Sequence, residues 1–281
     1  MTWPDDGSDV IGELIRDRLR GDETLLDVAR LHNIGFLEIV AANPTLDPWL
    51  PKPGAEVIIP QLHVLPEGER EGIVINRGER RMYYFAERWP DRDGPVIVTD
   101  PVGIGIAGRD TPTTETRVTA RLDQPAWYPT AEVRAWYKRE RNIELPVMVP
   151  AGDDNPLGEH ALVLDGDGLL IHGTIRPAGV GMAVSQGCIR LYPERIRFLV
   201  QQVPIGTSVR IIDQPVRLGR RGDKLYLEVD PVDDEGSAHP ETRWTELQAR
   251  LGRRAGTIDH ALARELFERA DGIPRVIGTL D

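Results

Sequence analysis

From Gly72 to Ile212 the chain is written in short β-forming runs broken by turn residues, and this texture limits its fold more than any other feature. Gly72-Ile73-Val74-Ile75-Asn76 and Arg81-Met82-Tyr83-Tyr84-Phe85 flank Arg77-Gly78-Glu79-Arg80, which reads as a hairpin. Strand-like runs at 95–99, 102–106 and 116–122 follow. His160-Ala161-Leu162-Val163-Leu164 and Leu169-Leu170-Ile171-His172 flank a second turn, Asp165-Gly166-Asp167-Gly168. Helical spacing is sparse. It covers 130–142, with Val133, Trp136 and Tyr137 on one face, and the run opened by Pro193, with Ile196, Leu199, Val200 and Val203 on one side. Ser208–Ile212 reads as a final core strand. Many short strands and few helices predict a mostly β fold with some α and sandwich character.

The flanks have a different texture. Residues 9–20 fit a strand or a short helix. Thr24 is placed to cap a helix carrying Leu25, Leu26, Val28 and Ala29, a second helix fits 35–43, and Glu56–Pro60 reads as a strand. This makes a small α+β module within residues 1–66. Beyond Pro215, Lys224–Val229 alternates as an edge strand, 230–240 is an acidic loop, and 243–251 and 258–270 read as helices. That extension, 216–281, is mixed and carries no chemical motif. The three-part division is then 1–66, 67–215 and 216–281.

The 281 residues suffice for one large domain or two modest ones, and 40% hydrophobic with 28% charged content indicates a globular protein. No run of 18 apolar residues is present, so no membrane span is expected. The first residues lack a basic n-region and an apolar h-region, which leaves two readings: a cytosolic protein, or an export signal outside this sequence. The net charge of −11, most of it in residues 1–69, argues against nucleic acid as a partner. The stretch 172–197 reverses the sign: Arg176, Arg190, Arg195 and Arg197 face only Glu194. Such a patch suits an anionic substrate and favours a thiolate over a thiol.

That patch surrounds the only cysteine, Cys188. A lone cysteine makes no intrachain disulfide and no multi-thiolate zinc site, so it is either a buried hydrophobe or a reactive thiol. His172, at a strand end, is the candidate base. Gly173 lets backbone approach closely, and its carbonyl is placed to orient the imidazole. The Gly187 and Cys188 amides are candidates for an oxyanion hole. Arg190 can hold a substrate carboxylate through a two-pronged contact, or pair with Glu194. Ser185 either bonds within the site or caps the turn. His160 begins a strand and can face the same cleft. Trp127 and Tyr128 can line it or pack. His32, His63, His239 and His260 have no partner pattern and read as surface or packing residues, and no metal cluster is evident.

Ile171-His172-Gly173-Thr174, Gly179-Val180-Gly181 and Ser185-Gln186-Gly187-Cys188-Ile189-Arg190-Leu191 together resemble the active-site signature of L,D-transpeptidases with a YkuD-type catalytic domain. The resemblance runs from about Glu71 to Pro215 and takes in Thr111-Pro112-Thr113 and Asp154-Asn155-Pro156-Leu157-Gly158. Glu23–Ala29, Glu38–Pro44 and Gly54–Pro60 resemble a LysM module, which implies binding to wall glycan. The resemblance implies a β-sandwich-like catalytic domain in which Cys188, His172, Gly173 and Gly187 carry the chemistry. Arg190, Ser185, Gln186 and Thr174 then contact substrate, without cofactor or metal. It further implies peptidoglycan stem peptides and glycan as partners, an envelope protein as one possible acyl acceptor, and a periplasmic location. The implied reaction is attack on the diaminopimelate–D-Ala bond of a tetrapeptide stem with transfer to an amine. Water as acceptor makes an L,D-carboxypeptidase instead. One departure stands out: Gln186 replaces the family's usual histidine, so a third reading is a non-catalytic peptidoglycan-binding protein.

Overall fold

The computed structural model describes residues 4, 6–90, 92–166, 168–231 and 239–281. The expected acidic loop at 230–240 lies largely outside the described residues, as does Asp167 of the second turn. Eighteen strands and six α-helices are present among the described residues, so the chain is mostly β with α. No helix among them is long and apolar enough to cross a membrane. The chain divides into two compact units, Met1–Pro101 with Ile211–Asp281, and Val102–Arg210.

In the first unit, residues 9–20 form two strands, Val10–Ile11 and Leu14–Arg18, rather than a helix. Leu14–Arg18 pairs antiparallel with Glu56–Pro60. Helix Leu25–Leu31 starts at Thr24, whose hydroxyl accepts the Asp27 N–H at 3.1 Å while Asp27 accepts the Thr24 N–H at 2.9 Å. This reciprocal cap satisfies two donors that a helix start leaves open. Helix Phe36–Ala42 ends at buried Asn43, whose side chain accepts the Ile58 N–H and donates to the Ile58 carbonyl, both at 2.7 Å. Leu25, Val28, Ala29, Ile39, Val57 and Ile59 form the module's core.

Gly72–Asn76, Arg81–Ala86 and Val96–Pro101 follow as an antiparallel meander. The C-terminal segment adds a four-stranded sheet in the order Val216–Arg221, Lys224–Val229, Arg275–Leu280, Gly256–Ile258. Lys224–Val229 is therefore an interior strand, not the expected edge. Its alternation marks one buried face, and periodicity alone cannot reveal how many partners a strand has. Helices Pro240–Leu251 and His260–Arg269 pack Leu247, Leu251, Leu266 and Phe267 onto this sheet.

The interior of this unit is not purely apolar. Arg81 and Arg217 are fully buried. Arg81 Nη2 meets both Glu38 oxygens at 2.6 and 2.9 Å. Arg217 lies 2.6 Å from Asp230, 2.9 Å from Glu228 and 3.3 Å from Glu79, and the Tyr83 hydroxyl donates to Glu79. His63, expected at the surface or in simple packing, sits in this network, 3.7 Å from Glu79. The surrounding hydrophobic sequence, Gln61-Leu62-His63-Val64-Leu65, gives no sign of it. His63, Glu79 and Glu228 bring potential ligand atoms within 4.8 Å of one another, a grouping the sequence reading lacks. The Arg217 guanidinium already supplies positive charge to both carboxylates.

Four carboxylates share two guanidiniums, so burial is relieved by protons as well as by pairing. Burial pushes Glu228 up to about 8 despite Arg217, with Glu79 adding to the rise. Burial, aided by Arg81, pushes His63 down to about 3, so the imidazole is neutral. The two groups act on stability with opposite sign. Below 6.5 the unfolded chain protonates His63 before the folded one does, so stability falls with pH down to about 3. Above 4.5 the unfolded chain releases the Glu228 proton that the folded state keeps, so stability falls as pH rises to about 8. Urea unfolding across pH should show His63→Gln flattening the acid limb and Glu228→Gln flattening the alkaline limb. Arg217→Ala strands three carboxylates and should cost ~3–5 kcal/mol at neutral pH; a loss under ~1 kcal/mol would show that the network does not hold the unit together.

The second unit begins with Ile104–Gly105, paired in parallel with Ala183–Ser185. Its sheet runs Ile189–Arg190, Leu170–His172, His160–Leu164, Thr114–Asp123, with Ser208–Ile212 next as the chain returns to the first unit. Helix Pro193–Gln202 packs on the His160–Leu164 strand through buried Ile196 and Leu199. Helix Ala131–Arg141 forms as expected but buries no residue. Trp136 is instead held edge-on by its neighbour Tyr137 and covered by Arg141.

Candidate active site

The site is built where two short strands run in parallel. Leu170–His172 pairs with Ile189–Arg190 in the register Ile171 to Ile189 and His172 to Arg190. Paired residues share a sheet face, so His172 and Arg190 project to the same side, and Cys188 lies two residues before Arg190, just ahead of the strand. The Leu170 N–H is directed at the Cys188 sulfur. His160 starts the next strand, but its neighbour Ala161 is the residue opposite His172. Alternation turns His160 to the other face, where Asp123 lies 3.1 Å away.

His172 is buried, and its Nδ1 lies 2.6 Å from the Gly173 carbonyl. A carbonyl only accepts, so Nδ1 carries the hydrogen and Nε2 is left as the basic nitrogen. Gly173 is needed for this approach: a Cβ there would lie 3.1 Å from Ile196 and 3.3 Å from the Leu157 carbonyl. Burial, with help from Arg190, pushes His172 down to about 4, so the imidazole is neutral at neutral pH.

Burial also pushes the Cys188 thiol up, and the Leu170 N–H and Arg190 offset only part of this. The positive local charge was expected to favour a thiolate, but desolvation wins and the resting pair is thiol and neutral imidazole. Arg190 is half-buried, its Nε is buried without a hydrogen-bond partner, and no carboxylate comes within ion-pair range among the described residues. The expected alternative pairing with Glu194 is not formed. The titratable groups around Arg190 are a phenol, Tyr137, the Cys188 thiol and a second guanidinium, Arg176, with no carboxylate among them.

The turn before Cys188 is held by hydroxyls. Ser185 Oγ accepts the Gly187 N–H at 3.1 Å and donates to the Cys188 carbonyl at 2.6 Å. Gly187 has φ +108°, which its missing Cβ permits. Because its one N–H is engaged by Ser185, Gly187 is not an open oxyanion donor in this conformation. The Cys188 N–H has no hydrogen-bond partner among the described residues and remains available. Gln186 is half-buried, and its Oε1 is buried without a partner. Thr174 Oγ1 accepts the Arg176 N–H at 3.0 Å, shaping the loop that follows His172. Trp127 exchanges backbone hydrogen bonds with Val149, while Tyr128 is exposed.

Residues 70–211 match the family described as YkuD, the L,D-transpeptidase catalytic domain. The chain belongs to this family. Three proteins carrying the name "Probable L,D-transpeptidase" are similar over most of its length. YcfS of Escherichia coli K12 is 38% identical over 97% of this chain and 87% of that protein. ErfK/SrfK of Salmonella typhimurium LT2 is 37% identical over 96% and 88%. YbiS of Escherichia coli K12 is 42% identical over 80% and 73%.

Two further residues, Thr111 and Asn155, support this L,D-transpeptidase site from outside it. Buried Thr111 donates to the Gly187 carbonyl at 2.8 Å and accepts the Gly105 N–H at 2.9 Å, tying the turn before Cys188 to a neighbouring strand. Asn155, fully buried, donates to the carbonyls of Pro125 and Pro150 at 2.8 and 3.0 Å and accepts the Leu157 N–H at 2.9 Å. It thereby fixes the loop whose Leu157 carbonyl also faces His172. A polar residue beside proline in a turn-rich stretch is the signal each leaves in sequence.

With one cysteine in the chain, alkylation by iodoacetamide reports on Cys188 alone. Its rate should rise with pH to a midpoint above that of an ordinary thiol, and Arg190→Gln should move the midpoint higher still; a midpoint below that of an ordinary thiol would contradict the electrostatics described. Thr111→Val keeps shape but removes both hydrogen bonds. Single-turnover acylation should slow about tenfold or more, with Thr111→Ser restoring most of the rate.

Proposed function

We propose that this enzyme performs two successive acyl transfers on peptidoglycan with Cys188 as nucleophile. The observation that carries the reading is the pairing of Arg190, two residues after Cys188, with a His172 whose Nδ1 is locked on the Gly173 carbonyl. In the first step, Nε2 of His172 takes the thiol proton as the sulfur attacks the carbonyl joining the L-centre of diaminopimelate to terminal D-alanine. Negative charge on the tetrahedral oxygen develops beside the Cys188 N–H. The carbon–nitrogen bond then breaks, and D-alanine leaves with the proton held by His172. In the second step an amine attacks the thioester, gives its proton to His172, and the thiol is regenerated by return of that proton. The acceptor is a second stem, giving a 3-3 crosslink, or an envelope protein.

Arg190 is the residue best placed to hold a substrate carboxylate, because it is a half-buried cation without a counter-charge. Gln186 offers an unpartnered acceptor next to the nucleophile, suited to a substrate N–H. Unlike a histidine it does not titrate, so no second imidazole is needed for the proton transfers described. The N-terminal module is assigned to glycan binding. It presents exposed Trp49, whose ring lies 5.2 Å from that of Phe36, and exposed Leu50 beside it. A peptidoglycan substrate puts the working enzyme in the periplasm.

Incubation with a disaccharide-tetrapeptide, read by mass, is the direct test. Crosslinked dimer and free D-alanine are expected. Tripeptide with D-alanine alone would make water the acceptor and the enzyme a carboxypeptidase, and unchanged substrate would leave only binding. Cys188→Ala should abolish D-alanine release, and retained activity in that variant would refute the cysteine mechanism.

A further inference from the structure

The C-terminal extension carries no catalytic motif, yet it supplies one wall of a cavity of ≈ 430 Å³ within the first unit. This volume falls in the range of small-ligand sites. Leu65 and Leu218, both buried, lie behind its wall. Around them lie four guanidiniums, Arg70, Arg250, Arg253 and Arg254, against two carboxylates, Asp9 and Glu67.

Both acids are already engaged. Asp9 Oδ1 lies 2.6 Å from Arg70, and its Oδ2 accepts the Arg220 N–H at 2.9 Å. Glu67 pairs with Arg250, which also donates to the Val216 carbonyl at 3.0 Å. Arg253 and Arg254 have no carboxylate within ion-pair range among the described residues. A basic residue at a helix C-terminus is explained by the helix dipole, and that accounts for Arg250 on the last turn of helix Pro240–Leu251. It does not account for two further arginines beyond the helix end, gathered with Arg70 from a distant part of the chain around one hollow. In a chain of net charge −11 this concentration of positive charge is local.

We propose that this cavity is an anion site that takes a small oxyanion, a carboxylate or phosphate group, between its arginines. Planar guanidiniums match either group through paired N–H donors. The site stands apart from the acyl-transfer chemistry and does not depend on it. The wall can supply carboxylates from stem peptides, and other envelope components supply phosphate.

Calorimetric titration of the full chain with inorganic phosphate, and separately with a diaminopimelate-containing stem tripeptide, distinguishes the two sources. Saturable binding of at least one is expected, weakening as salt is raised. The double variant Arg253→Gln/Arg254→Gln should lose about tenfold or more in affinity for that anion, while Arg253→Lys/Arg254→Lys keeps part of it. D-alanine release from tetrapeptide should be unchanged in both variants. Phosphate binding alone assigns a phosphate-bearing ligand, and tripeptide binding that the double variant loses assigns the stem peptide. The proposal is overturned if neither anion saturates, or if the Gln double variant binds as tightly as the unaltered protein. Unchanged urea midpoints in the variants would show that lost affinity is not lost folding.

Discussion

Arg217 has no exposed surface, and a guanidinium in that position is tolerated only if the charge it carries is answered nearby. Glu228 and Asp230 come from the same C-terminal sheet, Glu79 from the hairpin turn of the meander, and Glu38 and His63 from the N-terminal module through Arg81 and Glu79. Three stretches of sequence that look separable are joined by groups that cannot be left unpaired in a dry interior. The network explains why the C-terminal extension, without a chemical motif, forms one compact unit with the start of the chain. It sets a condition on the meander too, since Arg81 and Tyr83 point inward from a strand that is otherwise a plain hydrophobic run.

The active site uses the same physics with a different outcome. In the network, each buried guanidinium has carboxylates against it. At Arg190 there is none, and the groups nearby are a thiol, a phenol and another guanidinium. Desolvation therefore keeps Cys188 protonated and His172 neutral, in spite of a positive patch that in water would draw the proton off. Rigidity is supplied by hydroxyls and an amide. Ser185 and Thr111 fix the turn before Cys188, and Asn155 fixes the loop behind His172.

Much of this was legible in residue order. Short strands between turn residues gave the mostly β class, Thr24 marked its helix start, and His172 stands at a strand end as its hairpin required. Cys188 and His172 stand out as candidates because the residues around them resemble the L,D-transpeptidase signature; a lone thiol beside glycine and arginine by itself leaves a buried hydrophobe open. The oxyanion assignment to Gly187 was not legible, since whether its N–H is open depends on a hydroxyl two residues away. His63 was misread because an imidazole inside an apolar run gives no sign of which carboxylates fold onto it. The alternation of Lys224–Val229 records a buried face and not a neighbour, so its interior place in the sheet is not visible in sequence.

The sequence by itself determined the local conformations and the class of the fold, because these follow from side-chain period and capping chemistry, and it singled out Cys188 and His172 as candidates through their resemblance to the L,D-transpeptidase signature. Tertiary structure alone decided the protonation states, the counter-charge missing from Arg190, the partners of His63 and the hollow ringed by arginines. Those properties depend on desolvation and on distances between residues remote in the chain, and neither is written in the order of the residues.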